Sequence, residues 1–199
     1  MLRFYHTSVA GGNVISRGGS WAAYDEADLD GTDGEAGTRT LYLAPAQTAL
    51  TDAIASHSAD DVLNIRVDHP VFDHAGYSII LINSEKFQIT GGFGTRELSV
   101  VAGYDSTTAA EHSAEDAVYC CYDYQGITIG RTGDQASWLT FAAGASGGSF
   151  TSSLSPSNID HDGSYTFRRK VTVPASTTKQ RNQSATPTIS FTAIEAEKS

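Results

Sequence analysis

The sequence EKFQITGGFGTRELSVVAGYDSTTAAEHSAEDAVY, residues 85–119, is the most informative part of the chain, because short apolar stretches alternate with turns along it. It predicts strands at 87–89 and 98–100, joined by a glycine-rich turn, and a third strand at 117–122. Glycine supplies the positive φ values that such turns need. Between the second and third strands we expect a polar loop, in which 107–116 could form one helical turn. The stretch therefore predicts antiparallel β structure.

This stretch also resembles a segment that recurs in structural proteins of tailed viruses. The pattern of that segment is E-x-x-x-V-T-(turn)-L-T-V-x-R-G-x-x-G-T-T-A-A-x-H-x-x-G-x-x-V. The matching positions in this chain are Glu85, Ile89, Thr90, Leu98 to Val100, Gly103, Thr107 to Ala110, His112 and Val118. The resemblance implies a non-enzymatic part of a virus particle, in the neck, tail, baseplate or capsid surface.

A second resemblance lies in SLSPSNIDHDGSYTFRRKVTVPA, residues 153–175, and in the strand near Gly37–Tyr42. Both are similar to strands of an immunoglobulin-like module in tailed-virus proteins, in which an L-x-P-G turn precedes W-x-R-R-x-V-P-A. The matching residues are Leu154, Pro156, Phe167, Arg168, Arg169, Val173, Pro174 and Ala175. The chain departs from the pattern because it lacks the Trp and carries Lys170 and Thr172 before Val173.

Apolar segments elsewhere extend the β prediction to the whole chain. Alternation of apolar and polar residues is typical of a half-buried strand. Further strands are predicted within 1–10 and at 38–43, 62–67, 77–82, 127–129, 138–141, 150–154, 165–173 and 188–194. Residues 46–61 fit either a helix with an apolar stripe or an extended piece followed by a loop.

The order of these segments predicts an all-β chain with a nested architecture. The resemblances imply an immunoglobulin-like β-sandwich made of residues 1–45 and 123–199, with residues 46–122 inserted as a small β-barrel-like module. A closed or nearly closed module leaves few free sheet edges. A tandem of two β domains is the alternative.

The net charge of −10 argues against a nucleic-acid partner, because phosphate binding requires clustered Lys and Arg. We expect the basic run Arg168-Arg169-Lys170 to occupy solvated strand positions. Excess carboxylates with only four Lys residues suit high salt, where the Debye length is about 3 Å at 1 M. A halophilic host is therefore predicted, and the salt dependence of unfolding would test it.

No apolar run approaches the roughly 18 residues of a membrane span, and no secretory leader is visible. We therefore expect no membrane partner, synthesis in the host cytoplasm and a final location in the virion.

Cys120 and Cys121 are adjacent, and neighbours on a strand point to opposite faces. One thiol is thus expected inside and the other outside, where it could form an intersubunit disulfide.

Candidate metal ligands are weak, and we assign no catalytic residue, no cofactor and no metal ion. Asp28, Asp30 and Asp33 invite a calcium interpretation, but the spacing does not place glycine at position 6 as an EF-hand requires. The pairs Asp68-His69 and Asp73-His74 are interpreted as surface residues or turn formers.

Other polar motifs are also interpreted structurally. Asp160–Gly163 predicts a turn with carboxylates that cap amides. Gly144–Gly148 fits G-x-S-x-G, but an all-β region predicts a loop and no nucleophile elbow. His112 is expected to pack or hydrogen-bond within its loop, and Glu85 to interact with Arg96 across the hairpin. Asn182-Gln183-Ser184 is formally a glycosylation sequon.

These observations favour a virion structural protein that forms a homo-oligomer and binds other virion proteins. Residues 142–153 and the N-terminal strand are the predicted intersubunit contacts. The alternative is a receptor- or glycan-binding decoration, with Trp21, Trp138 and Tyr104 stacking on host-surface sugars. A polysaccharide hydrolase would need two carboxylates about 5 to 10 Å apart in a cleft, and no such pair stands out.

Overall fold

A computed structural model describes residues 1–5, 14–15, 36–172 and 185–196, and these residues are all-β as predicted. They form thirteen strands and three short 3-10 helices, with no α-helix among them. Every strand pairs antiparallel with its neighbours. Within these ranges, no helix has the length and apolar character needed to cross a membrane.

The strands are β1 (Leu2–Tyr5), β2 (Val14–Ile15), β3 (Ala36–Pro45), β4 (Gln47–Ala49), β5 (Val62–Arg66), β6 (Ile79–Ile82), β7 (Glu85–Gly91), β8 (Glu97–Val101), β9 (Ala117–Cys120), β10 (Tyr122–Thr132), β11 (Leu139–Ala143), β12 (Tyr165–Thr172) and β13 (Thr186–Glu195). The 3-10 helices are Ala75–Tyr77, Tyr104–Ser106 and Ala136–Trp138. Strands are thus confirmed at the predicted positions 38–43, 62–67, 77–82 and 188–194, although some of their ends differ by one or two residues.

One group of strands forms a five-stranded sheet in the order β11-β12-β3-β1-β2, accompanied by the β10–β13 pair. Residues 151–159 connect the two: Thr151 bridges to Phe141 of β11, Leu154 to Ile129 of β10, and Ile159 to Tyr124. Only these isolated bridges form where a regular strand is predicted at 150–154. Apolar residues from both groups share a core that includes Leu41, Leu43, Ile129, Phe141 and Phe167.

The other group is a six-stranded sheet in the order β4-β9-β6-β7-β8-β5. Its edge strands meet beyond their ends, because Leu50 bridges to Val67 and the Thr51 amide donates to the Arg66 carbonyl at 2.9 Å. The inward residues form a second core drawn from 46–120, including Ile65, Phe87 and Val118. Alternation in β5 buries Ile65 and leaves Val62 72% exposed, as the sequence pattern predicts.

The hairpin of β7 and β8 follows the glycine-rich turn predicted from the sequence. Gly92 has φ +77°, and a Cβ there would lie 2.0 Å from the Glu97 carbonyl oxygen. No side chain fits at that distance, so the turn requires glycine.

Two loop predictions are resolved by the hydrogen bonds that the loops make. Residues 46–61 form an extended piece followed by a loop, with no helix: β4 pairs with β9, and Ile54 exchanges two backbone hydrogen bonds with His112. Residues 107–116 contain no helical turn of the predicted kind; a 3-10 helix precedes them at Tyr104–Ser106. The backbone hydrogen bonds between His112 and Ile54 hold this loop extended. A helical turn at this position would be incompatible with those bonds.

The prediction of one inward and one outward thiol is wrong, because Cys120 and Cys121 are both 1% exposed and free. The predicted strand at 117–122 breaks at Cys121, where the chain leaves the six-stranded sheet and enters β10. Cys120 lies in the second core, whereas Cys121 packs with Ile79 and Ala196. Burial raises the pKa of the Cys121 thiol to about 11, which disfavours the thiolate needed for disulfide formation.

One prediction about the basic run fails on burial. Arg169 is 3% exposed and so is not a solvated strand position. Arg168 and Lys170 lie on the opposite face, with their charged groups 5.1 Å and 5.7 Å from the centre of the Phe150 ring. The N-terminal strand β1 lies inside its own sheet, between β3 and β2, and is fully buried.

Candidate functional site

The densest cluster of ionisable groups surrounds Glu85, the first residue of β7, which is 0% exposed. Two imidazoles reach its carboxylate: His57 Nε2 lies 3.0 Å from Oε1, and His112 Nε2 lies 2.9 Å from Oε2. The backbone amides of Gly103 and Ala110 donate to Oε1 and Oε2 at 3.1 Å and 3.0 Å. These five residues are called the carboxylate cage below, and each carboxylate oxygen accepts two hydrogen bonds.

The protonation states in the carboxylate cage follow from its hydrogen bonds. His57 Nδ1 lies 2.9 Å from the Ala55 carbonyl oxygen, so both ring nitrogens of His57 face acceptors and both must donate. His57 is therefore an imidazolium. The Asn83 amide nitrogen lies 2.9 Å from the Asp116 carboxylate and 3.3 Å from His112 Nδ1, so Nδ1 accepts. This arrangement leaves the Nε2 proton of His112 facing the Glu85 carboxylate.

The pKa values of Glu85 and His57 shift in the directions that favour a charged pair. Burial by itself would raise the pKa of Glu85, but hydrogen bonds from His112, His57 and the Ala110 amide lower it below its usual value. Burial would likewise lower the pKa of His57, but the Ala55 carbonyl and the Glu85 carboxylate raise it. The cage therefore holds one negative and one positive charge that neutralise each other.

The backbone at Gly103 is specialised for this contact. Gly103 has φ +67°, and a Cβ there would lie 2.7 Å from the Cβ of Ala59. Only glycine lets the chain approach residue 59 closely in the left-handed region while its amide points at Glu85. The cage thus ties the loops around 57, 103 and 110 to the start of β7.

The ionisable side chains of the carboxylate cage are buried, which limits the chemistry that the cage can perform. The His57 and His112 side chains are 3% and 1% exposed, and both rings lie within 6 Å of the Phe87 ring centre. All acceptor positions of the carboxylate are occupied by this chain's own donors. A general base must be within reach of a substrate proton, and this carboxylate is buried and already fully hydrogen-bonded. The arrangement therefore fits a structural role.

The predicted interaction of Glu85 with Arg96 is wrong. Glu85 begins β7, whereas exposed Arg96 precedes β8 at the turn end of the hairpin. With about 3.3 Å per strand residue, the two side chains lie at opposite ends of β7. His112 does hydrogen-bond, but its partner is Glu85 at the start of β7 and not a residue of its own loop as expected.

The carboxylate–histidine pairs considered as metal ligands have other contacts. Asp68 accepts from the Thr51 hydroxyl at 3.0 Å, and Asp73 forms an ion pair with Arg3 at 2.7 Å. His74 Nδ1 accepts from the Gly76 amide at 3.0 Å and caps a 3-10 helix. The interpretation of these residues as turn formers thus fits His74. In the part of the chain that the structure describes, no three His, Cys, Asp or Glu side chains are grouped as metal ligands.

The turn predicted at Asp160–Gly163 is present, with the Gly163 amide bonded to the Asp160 carbonyl at 2.9 Å. The capping carboxylate comes from Asp123 of β10, which accepts from the His161 amide at 2.7 Å. The G-x-S-x-G segment 144–148 is a loop between β11 and β12.

Of the remaining sugar-binding and cation-binding candidates, the structure describes only Trp138 and Tyr104. Trp138 and Tyr104 are half-buried, and Tyr104 packs against Ile79, Cys121 and Ala196. Asp28, Asp30, Asp33, Trp21 and Asn182–Ser184 lie outside the described residues. No pattern in the sequence indicated His57, because its neighbours are exposed Ser, Ala and Asp residues without an apolar signal.

No protein-family model, curated protein or solved structure matches this chain. The geometry of the described residues is therefore what any functional argument must start from.

Replacing Glu85 with Gln should destabilise the protein strongly. The amide nitrogen would face donors, and His57 would lose its counter-ion; breaking a buried pair costs about 3–5 kcal/mol. Urea unfolding measures this change. Glu97→Gln is the matched control, because Glu97 is 79% exposed and 3.9 Å from Arg66, and should cost less than about 0.5 kcal/mol. Equal losses in the two variants would contradict the role assigned to the carboxylate cage.

The carboxylate cage should also make the free energy of unfolding greatest at an intermediate pH. The raised pKa of His57 gives stability that is present below about pH 6.5 and is lost as pH rises through the folded-state pKa. The lowered pKa of Glu85 gives stability that is present above about pH 4.3 and is lost as pH falls through its folded-state pKa. Unfolding free energies at constant ionic strength from pH 3 to 9 measure both limbs. In His57→Gln the alkaline loss should be reduced, and an unchanged alkaline limb would show that His57 is not its source.

Proposed function

We propose that this chain is a non-enzymatic structural protein of a tailed-virus particle, in the neck, tail, baseplate or capsid surface. The observation that carries the proposal is the composition of the carboxylate cage. Four of its five residues, Glu85, Gly103, Ala110 and His112, are positions of the tailed-virus pattern. The pattern thus matches residues that contact one another, which supports a shared local structure behind the resemblance.

The second resemblance is supported in a similar way. In the register of β3 and β12, Phe167 lies opposite Leu41 and Arg168 opposite Thr40. Both segments that resemble the immunoglobulin-like module are therefore adjacent strands of one sheet. Leu154 joins the neighbouring strand pair through its bridge to Ile129.

We further propose the nested architecture, a sandwich of residues 1–45 and 123–199 with residues 46–122 inserted. The first core draws its buried residues from 2–43 and 124–167, and the second from 46–120. The Cys120 amide donates to the Ala46 carbonyl at 2.7 Å, so the two ends of the insert lie side by side. Adjacent ends are what an inserted module requires. The meeting of β4 and β5 through Leu50 and Val67 supports a nearly closed, barrel-like insert.

Assembly with neighbours fits the surface of the described residues. The loop from Ala143 to Thr151 is largely exposed, in agreement with its candidacy as an intersubunit contact. By contrast, β1 is committed to its own sheet, so residues 2–5 would have to leave that sheet to pair with a neighbour. Other virion proteins are thus the proposed partners, with multiple copies giving the contacts avidity.

Particle location tests the function. An epitope tag inserted at Asp134, in an exposed turn that follows β10 and lies outside the predicted contact loop, should appear in purified particles at a constant ratio to the capsid protein and be labelled by antibody at one site. The control is tagged protein added to untagged particles before the density gradient, which reveals adsorption. Absence from particles, or recovery no better than in the control, would overturn the proposal.

Excision tests the nested architecture. Residues 46–121 expressed alone should give a β-type circular dichroism spectrum and a cooperative thermal transition, because the second core lies within them. The control is a longer fragment, residues 1–121, which would be the complete first domain of a tandem arrangement. Its additional strands lack most of their sandwich partners, so its transition temperature should not exceed that of residues 46–121. An unfolded 46–121 fragment with a folded 1–121 fragment would favour two tandem domains.

A further inference from the structure

An open groove of about 290 Å³ runs along strand β5, the edge of the six-stranded sheet. One wall is β5 from Leu63 to Arg66, and the other is the segment from Asp52 to His57. The two walls meet at one end, where the Thr51 amide donates to the Arg66 carbonyl. Beyond that point they separate, and the sheet is left unclosed.

The β5 wall presents unused backbone groups to the groove. Antiparallel strands exchange hydrogen bonds at alternate residues. The Val67 amide donates to Arg96 before β8, so Ile65 and Leu63 use the same side and bond β8. The backbone groups of Val62 and Asn64 therefore point away from β8, as the Arg66 carbonyl does. Among the described residues, neither Val62 nor Asn64 has a backbone hydrogen-bond partner on that side.

The opposite wall also presents a strand edge. Ile54 uses both its N–H and its C=O for His112, at 2.8 Å and 3.0 Å. The backbone groups of its neighbours Ala53 and Ala55 consequently point the other way, to the groove that they line. The Ala55 carbonyl accepts from His57, but within the described ranges the Ala55 amide and both backbone groups of Ala53 have no partner. Two incomplete strand edges thus face each other.

Side chains define what would fit between these edges. Leu63 supplies apolar surface to the groove, which Ile54 and Ile65 also line although they are only 9% and 4% exposed. Val62, which precedes Leu63 on β5, is 72% exposed. The surrounding charges are mostly negative: Asp52 and Glu97 flank Arg66 at 3.4 Å and 3.9 Å, and Asp60 and Asp61 precede β5. The carboxylate cage adds no net charge here, because His57 is neutralised by Glu85.

We propose that this groove receives an extended segment of a partner protein that inserts as the missing strand between Ala53–Ala55 and Val62–Asn64. Such a segment would form backbone hydrogen bonds on both sides. Its central residue is small and apolar, to contact Ile54 and Leu63, and its flanks carry Lys or Arg, to match the acidic surroundings. A second copy of this chain is disfavoured because each copy has a net charge of −10. Assigning the segment to another virion protein rests on the proposed function.

A designed peptide tests the groove in the isolated full-length chain. The probe is acetyl-Lys-Ala-Val-Ala-Lys-amide, titrated to millimolar concentration into isotopically labelled protein. Amide hydrogen exchange at Ala53, Ala55, Val62 and Asn64 should be fast in the free protein and slow at least tenfold with peptide. The acidic peptide acetyl-Glu-Ala-Val-Ala-Glu-amide should bind at least threefold more weakly.

Two proline variants form the matched control. Asn64→Pro removes an amide that points into the groove, so the fold should survive while peptide binding falls at least tenfold. Leu63→Pro removes an amide that bonds β8 and should unfold or strongly destabilise the protein. If Asn64→Pro does not fold, the same test is made on the wild-type chain with a peptide that is N-methylated at its central Val.

The outcomes separate the alternatives. Peptide-induced protection that is lost with Asn64→Pro or with N-methylation supports the inserted strand. No protection at these amides, or equal binding of the acidic and basic peptides, overturns it. Protection that grows with protein concentration alone, together with a dimer in sedimentation, would assign the groove to a second copy and reject the basic partner. Because the peptide test uses no particle, it can succeed where the particle test fails.

Discussion

A carboxylate taken out of water needs hydrogen-bond donors and a positive charge, and meeting that need at Glu85 organises one half of the molecule. The Glu85 side chain reaches four donors from three separate segments. An unpaired buried charge costs several kcal/mol, so the loops that carry His57, Gly103 and Ala110 cannot move away from β7 independently. The single buried Glu85 carboxylate thus fixes the positions of loops that have little secondary structure of their own.

A second set of buried polar contacts joins the two groups of strands. Lys86, next to Glu85 in β7, is 2% exposed and its ammonium donates to the Ala196 carbonyl at 2.8 Å and to Asp105 at 3.1 Å. Arg3 of β1 pairs with Asp73 at 2.7 Å. Tyr77 and Tyr122 pack edge to face, at 5.3 Å, and contact both cores. The two cores are therefore coupled by the Lys86–Ala196 hydrogen bond, the Arg3–Asp73 ion pair and aromatic contacts.

Sheet edges are the other constraint on an all-β chain, because unpaired backbone groups invite pairing with other molecules. Residues 151–159 cover the outer sides of β11 and β10 by isolated bridges. In the six-stranded sheet, Leu50 and Val67 bring the two edges together at one point and leave the groove beside Val62 and Asn64. The exposed backbone of this groove is the natural consequence of a sheet that nearly closes.

Most strands could be predicted from local patterns, because alternation and glycine-rich turns are local signals: β5, β6, the β7–β8 hairpin and β12 all lie where the pattern predicts them. Glu85 and His112 are both positions of the tailed-virus pattern, but the sequence did not indicate that they touch. Their contact across 27 residues of chain, and the addition of His57, depend on tertiary packing. Burial of Arg169 and of both cysteines was likewise decided by how the sheets pack. Local patterns report which residues alternate, whereas pairing of charges and burial depend on segments that meet only after folding.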